Sequence, residues 1–242
     1  IRVEAAQADP ETLARRLDGF REEFPDAPET DELAAVVAAA LQGRGEGEAA
    51  VRILEGVDGP RSALERGYLA LEAGDVEGGR QAFGGALAGL APARATPVIQ
   101  LTGLLGRLGA VGRALVAETA VLAHRERGTE AVRLIREAAP GLPEGERAAV
   151  LAHGARLADD AGLEAEAAEL RTELLSAHPD APEVGEATLS LARYRAREPG
   201  GVGEAVRLLE SLILERPDAP VVPDARRELE KLRRGGGERG EG

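Results

Sequence analysis

The chain contains no cysteine, methionine or tryptophan, and aromatic residues make up only 2% of its 242 positions. Without cysteine there is no disulfide framework, no thiolate metal site and no cysteine nucleophile, and the absence is compatible with any compartment. With so few aromatics, the core must be built from Ala, Leu and Val. That palette suits closely packed helices better than sheets, which favour β-branched and aromatic residues. Asparagine is missing too, and Lys231 is the sole lysine. The 30 basic residues face 43 acidic ones, a net charge of −13, and the arginines lie among glutamates. Nucleic acid binds through Lys and Arg that displace condensed counterions, so a nucleic-acid partner is not expected. Long hydrophobic runs are also lacking. The most apolar window, Leu33 to Leu41, is rich in Ala and far shorter than the roughly 20 residues that span a bilayer. Residue 1 is Ile, and no basic start or apolar leader follows it, which fits a processed chain, a trimmed one, or a start after disordered residues.

What is present is 43% hydrophobic residues, enough for a sizeable core, arranged in a repeat. Pro-Asp-Ala-Pro occurs at Pro25–Pro28, Pro179–Pro182 and Pro217–Pro220. The last two copies start 38 residues apart, and the first starts 154 residues before the second, close to four such units. Each follows an amphipathic run. A second phrase, Ala-Val-Arg plus two aliphatics, recurs at Ala50–Leu54, Ala131–Ile135 and Ala205–Leu209. Apolar residues at three- and four-residue steps, such as Val206, Leu209, Leu212 and Ile213, give each helix one stripe.

Breaks fall at Gly74-Asp75, Ala161-Gly162 and Pro199-Gly200-Gly201, so each unit reads as two helices. Asp9 before Pro10 reads as an N-cap, and Ser62 to Glu65 has capping-box spacing. Val222-Pro223-Asp224 opens a last helix running to about Arg234, with a disordered Gly-rich tail over 235–242.

These residues resemble the tetratricopeptide-repeat family, whose motif of about 34 residues places small, glycine, small, large, apolar and proline residues in fixed order. The segment from Pro60 supplies Gly67, Gly74, Gly79, Phe83 and Ala86, with Pro92 one place late. The segment from Ala148 supplies Ala155, Gly162, Ala167, Leu174 and Pro179, with Arg171 where the family has a large residue. The segment from Glu186 supplies Gly200, Ala205, Leu209, Leu212 and Pro217, with Arg193 at a small-residue position. Degenerate copies lie near 9–25 and 30–57, the first without its leading helix, as if the natural chain began upstream of Ile1.

The resemblance implies an all-α solenoid of stacked helix hairpins, about six to seven units, forming one domain over 1–234. From 93 to 143 the register falters. Three helical stretches, near 95–108, 111–125 and 129–139, fit where whole hairpins need an even number, and Ala114 and Ala131 both claim one small-residue position. An irregular joint or an extra helix is expected there. The proline-bounded turn of the last third is similar to that of bacterial cell-envelope repeat proteins. That analogy implies a periplasmic or outer-membrane-associated location, with a cytoplasmic one as alternative.

Reactive clusters are not evident. His124, His153 and His178 have no partner at metal spacing and read as surface or helix-end residues. Asp159 and Asp160, about 100° apart on a helix, read as a solvated helix end. The Gly43–Gly47 run lacks the Lys and strand of a phosphate loop and reads as a flexible turn. No catalytic residue, metal or cofactor is expected.

The family's groove positions, carried over, give Arg61, Leu64, Tyr68, Leu71 and Glu72 in the unit from Pro60. They give Ala149, Ala152, Arg156, Asp159 and Asp160 in the next matching unit, and Ala187, Ser190, Tyr194, Arg197 and Glu198 in the last. Of these, Arg61, Leu64, Tyr68, Leu71, Arg156, Ser190, Tyr194 and Arg197 form the candidate partner-binding set on the concave face. Tyr68 and Tyr194, the only tyrosines, occupy the same repeat position. Each either anchors a partner or packs between helices with its hydroxyl at the rim. A carboxylate clamp is contradicted by the missing Asn and near-missing Lys.

The expected function is a non-catalytic protein-interaction scaffold, an accessory or structural subunit of a bacterial envelope-type assembly. The alternative is the interaction domain of a larger enzyme or regulator whose active domain lies upstream of Ile1. A homopolymer is a third option, which the polar last helix argues against at its end.

Overall fold

A computed structural model describes residues 10–24 and 27–237 of the chain. Among them are thirteen α-helices and no strand. They are α1 (Pro10–Glu23), α2 (Glu29–Gln42), α3 (Gly47–Leu54), α4 (Pro60–Glu72), α5 (Val76–Leu87), α6 (Pro92–Arg107) and α7 (Ala110–His124), then α8 (Gly128–Ala138), α9 (Glu144–Asp160), α10 (Glu164–Ala177), α11 (Val184–Arg197), α12 (Val202–Glu215) and α13 (Val222–Gly237). Consecutive helices pack on one another, as in a solenoid of hairpins. They form two compact units, Ile1–Glu126 and Arg127–Gly242.

The hairpin turns share one backbone device. Gly45, Gly74, Gly162 and Gly200, which follow α2, α4, α9 and α11, all have φ between 73° and 82°. Glu126, between α7 and α8, has φ 61° and takes the same place in its turn. A left-handed residue at this point lets its neighbours' N–H groups bond back to the last helical carbonyls. At Gly162, for instance, Ala161 N–H donates to Leu157 O and Leu163 N–H to Ala158 O. Glycine alone adopts this conformation without strain, which is why the turn after α7 escapes a glycine search.

The Pro-Asp-Ala-Pro turns share another. His178 N–H donates to Leu174 O, Ala181 N–H to His178 O and Val184 N–H to Ala181 O. Arg216, Ala219 and Val222 repeat this ladder onto Leu212, Arg216 and Ala219, 38 residues on. Phe24, Ala27 and Thr30 show the same bonds around the first copy, whose Pro25 and Asp26 lie outside the described residues. Arg216 also ties two copies together, donating to the carbonyls of Pro179 and Ala181.

In the first unit, Leu13, Leu17, Val37, Leu41 and Leu54 form a continuous core across α1–α3. The α4/α5 hairpin closes on small residues as the repeat motif requires. A side chain at Gly67 would overlap the Phe83 ring, and one at Gly79 would meet Leu71 at 2.8 Å. Helix α4 then packs directly on α7, while α6 lies against α5 and α7. The expected extra helix is therefore α6. Ala131 is fully buried and Ala114 exposed, so the contested small-residue position belongs to Ala131.

In the second unit, Leu189, Ala192, Ala205, Leu209 and Leu212 pack with Ala225 and Leu229 of α13. The rest of α13 is charged and exposed, with Arg226, Arg227, Lys231, Arg233 and Arg234 in solvent. This helix ends at Gly237, three residues beyond the expected Arg234 and inside the glycine run. The remainder of the expected tail and the Asp9 cap lie outside the described residues.

Two local expectations are corrected. Ser62 and Glu65 form no capping box: Ser62 is a buried residue within α4, whose N-cap is Gly59. The cap comes instead from Asp31 of α2, whose carboxylate accepts from the backbone N–H groups of Arg61 at 2.9 Å and Ser62 at 2.7 Å. Glu65 is turned inward for another purpose, described below. The histidines are not uniformly peripheral either, because His153 is 5% exposed.

Candidate functional site

The residues expected on the partner-binding face fall on three helices. Arg61, Leu64, Tyr68 and Leu71 lie on α4 of the first unit; Arg156 lies on α9 and Ser190, Tyr194 and Arg197 on α11 of the second. Leu71 is only 4% exposed and packs into the α4/α5 hairpin, so it offers nothing to a partner. Arg61, Leu64, Arg156 and Ser190 are half-buried, and Arg197 is exposed in an ion pair with Glu164 at 3.0 Å.

Tyr68 is enclosed by its own unit. Its ring stacks on His124, with centroids 3.7 Å apart and planes 8° from parallel, and meets Phe83 edge-on at 5.0 Å. Beneath the stack lies Glu65, its side chain 5% exposed, holding His124 Nε2 at 2.7 Å on one oxygen and the Arg125 guanidinium on the other. Arg125 also reaches Glu72 at 3.5 Å. Burial alone raises the Glu65 carboxyl, but the hydrogen bond and charge of His124, with those of Arg125, bring it below the usual range. Burial, with the charge of Glu65, pushes the Tyr68 hydroxyl up to about 12. Both carboxylate oxygens are occupied, so this cluster is a joint between α4 and the end of α7. It replaces the contact a regular array makes between first helices of successive hairpins. Sequence reading missed it because Glu65 and His124 are 59 residues apart, separated by the inserted α6.

The second unit places its polar groups differently. Arg171 of α10, 6% exposed, makes a two-bond pair with Asp159 of α9. This explains how arginine occupies a position that the repeat fills with a large residue. Asp159 is therefore half of an ion pair and not merely a solvated helix end. Burial, and then the Asp159 charge, raise the neighbouring Asp160. Burial, with the nearby Arg156 charge, pushes the His153 imidazole down to about 3.

Tyr194 stands at a groove of about 570 Å³ between α10 and α11. The floor is a row of small residues on α10, namely Ala165, Ala168, Thr172 and Ser176, with Glu169 and Glu173 beside them. Tyr194 and Arg195 supply the α11 wall, the guanidinium 5.7 Å from the tyrosine ring. Arg195 donates to Glu198 at 2.7 Å, and the hydrogen bond from Tyr194 to Glu198 holds the phenol above its ordinary range. The wall is thus fixed before anything enters. The floor is the second helix of the α9/α10 hairpin, so this groove is not one between first helices. Of the expected set, Tyr194 alone lines it.

No protein-family model matches the chain, and no curated protein is significantly similar to it.

Proposed function

We propose that the chain is a non-catalytic protein-interaction scaffold of tetratricopeptide type, which docks a protein partner beside Tyr194. The observation that carries this reading is the groove of about 570 Å³ between α10 and α11, with Tyr194 and Arg195 held on its wall. Tyrosine and arginine are the residue types that most often anchor interfaces, and a wall already ordered loses little side-chain freedom on binding. Within the same reading, the chain is an accessory or structural subunit of a bacterial envelope-type assembly.

The test is affinity capture from cell extract with the wild-type chain, Tyr194→Ala and Tyr68→Ala, each checked by circular dichroism. The expected result is loss of specific partners with Tyr194→Ala at unchanged helicity. A capture profile that Tyr194→Ala leaves intact overturns the assignment.

A further inference from the structure

We infer that the groove beside Tyr194 takes a cationic segment of its partner, one carrying Arg or Lys side chains along an α-helix. The inference rests on the proposed function of that groove and adds the chemistry of the occupant. It starts from the charge of α10. This helix carries Glu164, Glu166, Glu169 and Glu173, and its one cation, Arg171, is buried and committed to Asp159. The solvent face of α10 is therefore wholly acidic.

Two of these carboxylates are matched from neighbouring helices, Glu164 by Arg197 at 3.0 Å and Glu169 by Arg136 at 2.7 Å. Among the described residues, Glu166 and Glu173 have no cationic partner, and Glu173 lines the groove. The groove's own cation does not offset them, because Arg195 already contacts Glu198 at 2.7 Å and Glu204 at 3.2 Å. What an incoming chain meets is an uncompensated carboxylate beside a tyrosine, in a protein of net charge −13. Acidic segments are repelled there, and cationic ones are drawn in and oriented.

The floor selects the shape. Small residues at Ala165, Ala168, Thr172 and Ser176 follow the three- and four-residue steps of one helix face. Such a face lets another helix approach closely, with its long basic side chains reaching past to Glu169 and Glu173. Thr172 already donates its hydroxyl to Ala168 O, so its methyl is free to form part of that floor.

The probe is a labelled synthetic 14-residue amphipathic peptide of Ala, Leu and Lys, read by fluorescence anisotropy against the full chain. A second peptide has every Lys replaced by Glu. The expected result is binding of the Lys peptide only, weakened about tenfold by Glu173→Lys and comparably by Tyr194→Ala. Glu118→Lys, at an exposed position of the first unit, makes the same change in net charge and leaves affinity within about twofold. Equal weakening by Glu118→Lys and Glu173→Lys overturns the inference, since attraction is then general. So does equal binding of the Glu peptide. If Tyr194→Ala abolishes capture of cellular partners while Glu173→Lys changes neither capture nor peptide affinity, the scaffold reading stands and the cationic occupant is refuted. If the Lys peptide binds as expected but Tyr194→Ala leaves capture unchanged, the groove's chemistry stands and the scaffold assignment fails.

Discussion

The two tyrosines hold the same place in the repeat and have opposite surroundings. Tyr68 is pressed between His124 and Phe83 over a buried carboxylate, whereas Tyr194 stands at the rim of a groove beside Arg195. The difference comes from the helix that follows. After α5 the chain inserts α6, and α4 meets α7, whose end delivers an imidazole and a guanidinium onto Glu65. The second unit has no such insertion, and the face of α10 beside Tyr194 remains open. Repeat register fixes which helix a residue is on and which way it leaves the axis; the neighbour decides whether it is core or surface.

The sharpest way to break this comparison is to truncate both rings. Tyr68→Ala removes a stacked, enclosed ring and is expected to cost about 3–5 kcal/mol, as for other large-to-small core changes. Tyr194→Ala is expected to cost about 1 kcal/mol or less. Urea titration of each variant measures both, and equal losses would erase the distinction.

Acid should separate the units next. The His153 pKa is lowered to about 3 in the folded chain, so between pH 6.5 and 3 the unfolded chain binds the extra proton. Stability is full above pH 6.5 and falls with pH, by about 3 kcal/mol at pH 4. Glu65 in the first unit is also lowered, but from 4.5, so its contribution is retained until the pH drops below that value. Amide exchange along a pH series should show protection in the second unit failing first. His153→Leu should remove the early loss.

A smaller effect is expected from Asp31→Ala, which strips the cap that α2 provides to α4. About 1 kcal/mol should be lost, with exchange speeding at the amides of Arg61 and Ser62. The smallest is a gain. Glu126→Gly relieves the one non-glycine residue with positive φ among those described and should stabilise by about 0.5–1 kcal/mol in thermal melts.

Local sequence carried much of the helical plan. Gly74, Gly162 and Gly200 mark turns because few residues adopt positive φ, and the burial of Ala131, Ala167 and Ala205 follows from helix–helix distance. Three features were not legible, each for a physical reason. Glu126 performs a glycine's task without being one. Asp31 caps a helix 30 residues away, which no capping pattern along the chain encodes. The Glu65 joint depends on which helix α4 meets once α6 is set aside, and the groove beside Tyr194 depends on what α10 leaves uncovered. Both are properties of packing order.

The paired turns at Pro179 and Pro217 bond their backbones identically at a spacing of 38 residues. A cut made at one can therefore be rejoined at the other without altering either junction's local geometry. Removing residues 180–217 would bring α13 directly after α10, with Asp218 following Pro179 as Asp180 does now. Such a seam makes the number of hairpins adjustable by recombination, so a lineage carrying this turn can lengthen or shorten its scaffold in whole steps while the lid at the end travels unchanged.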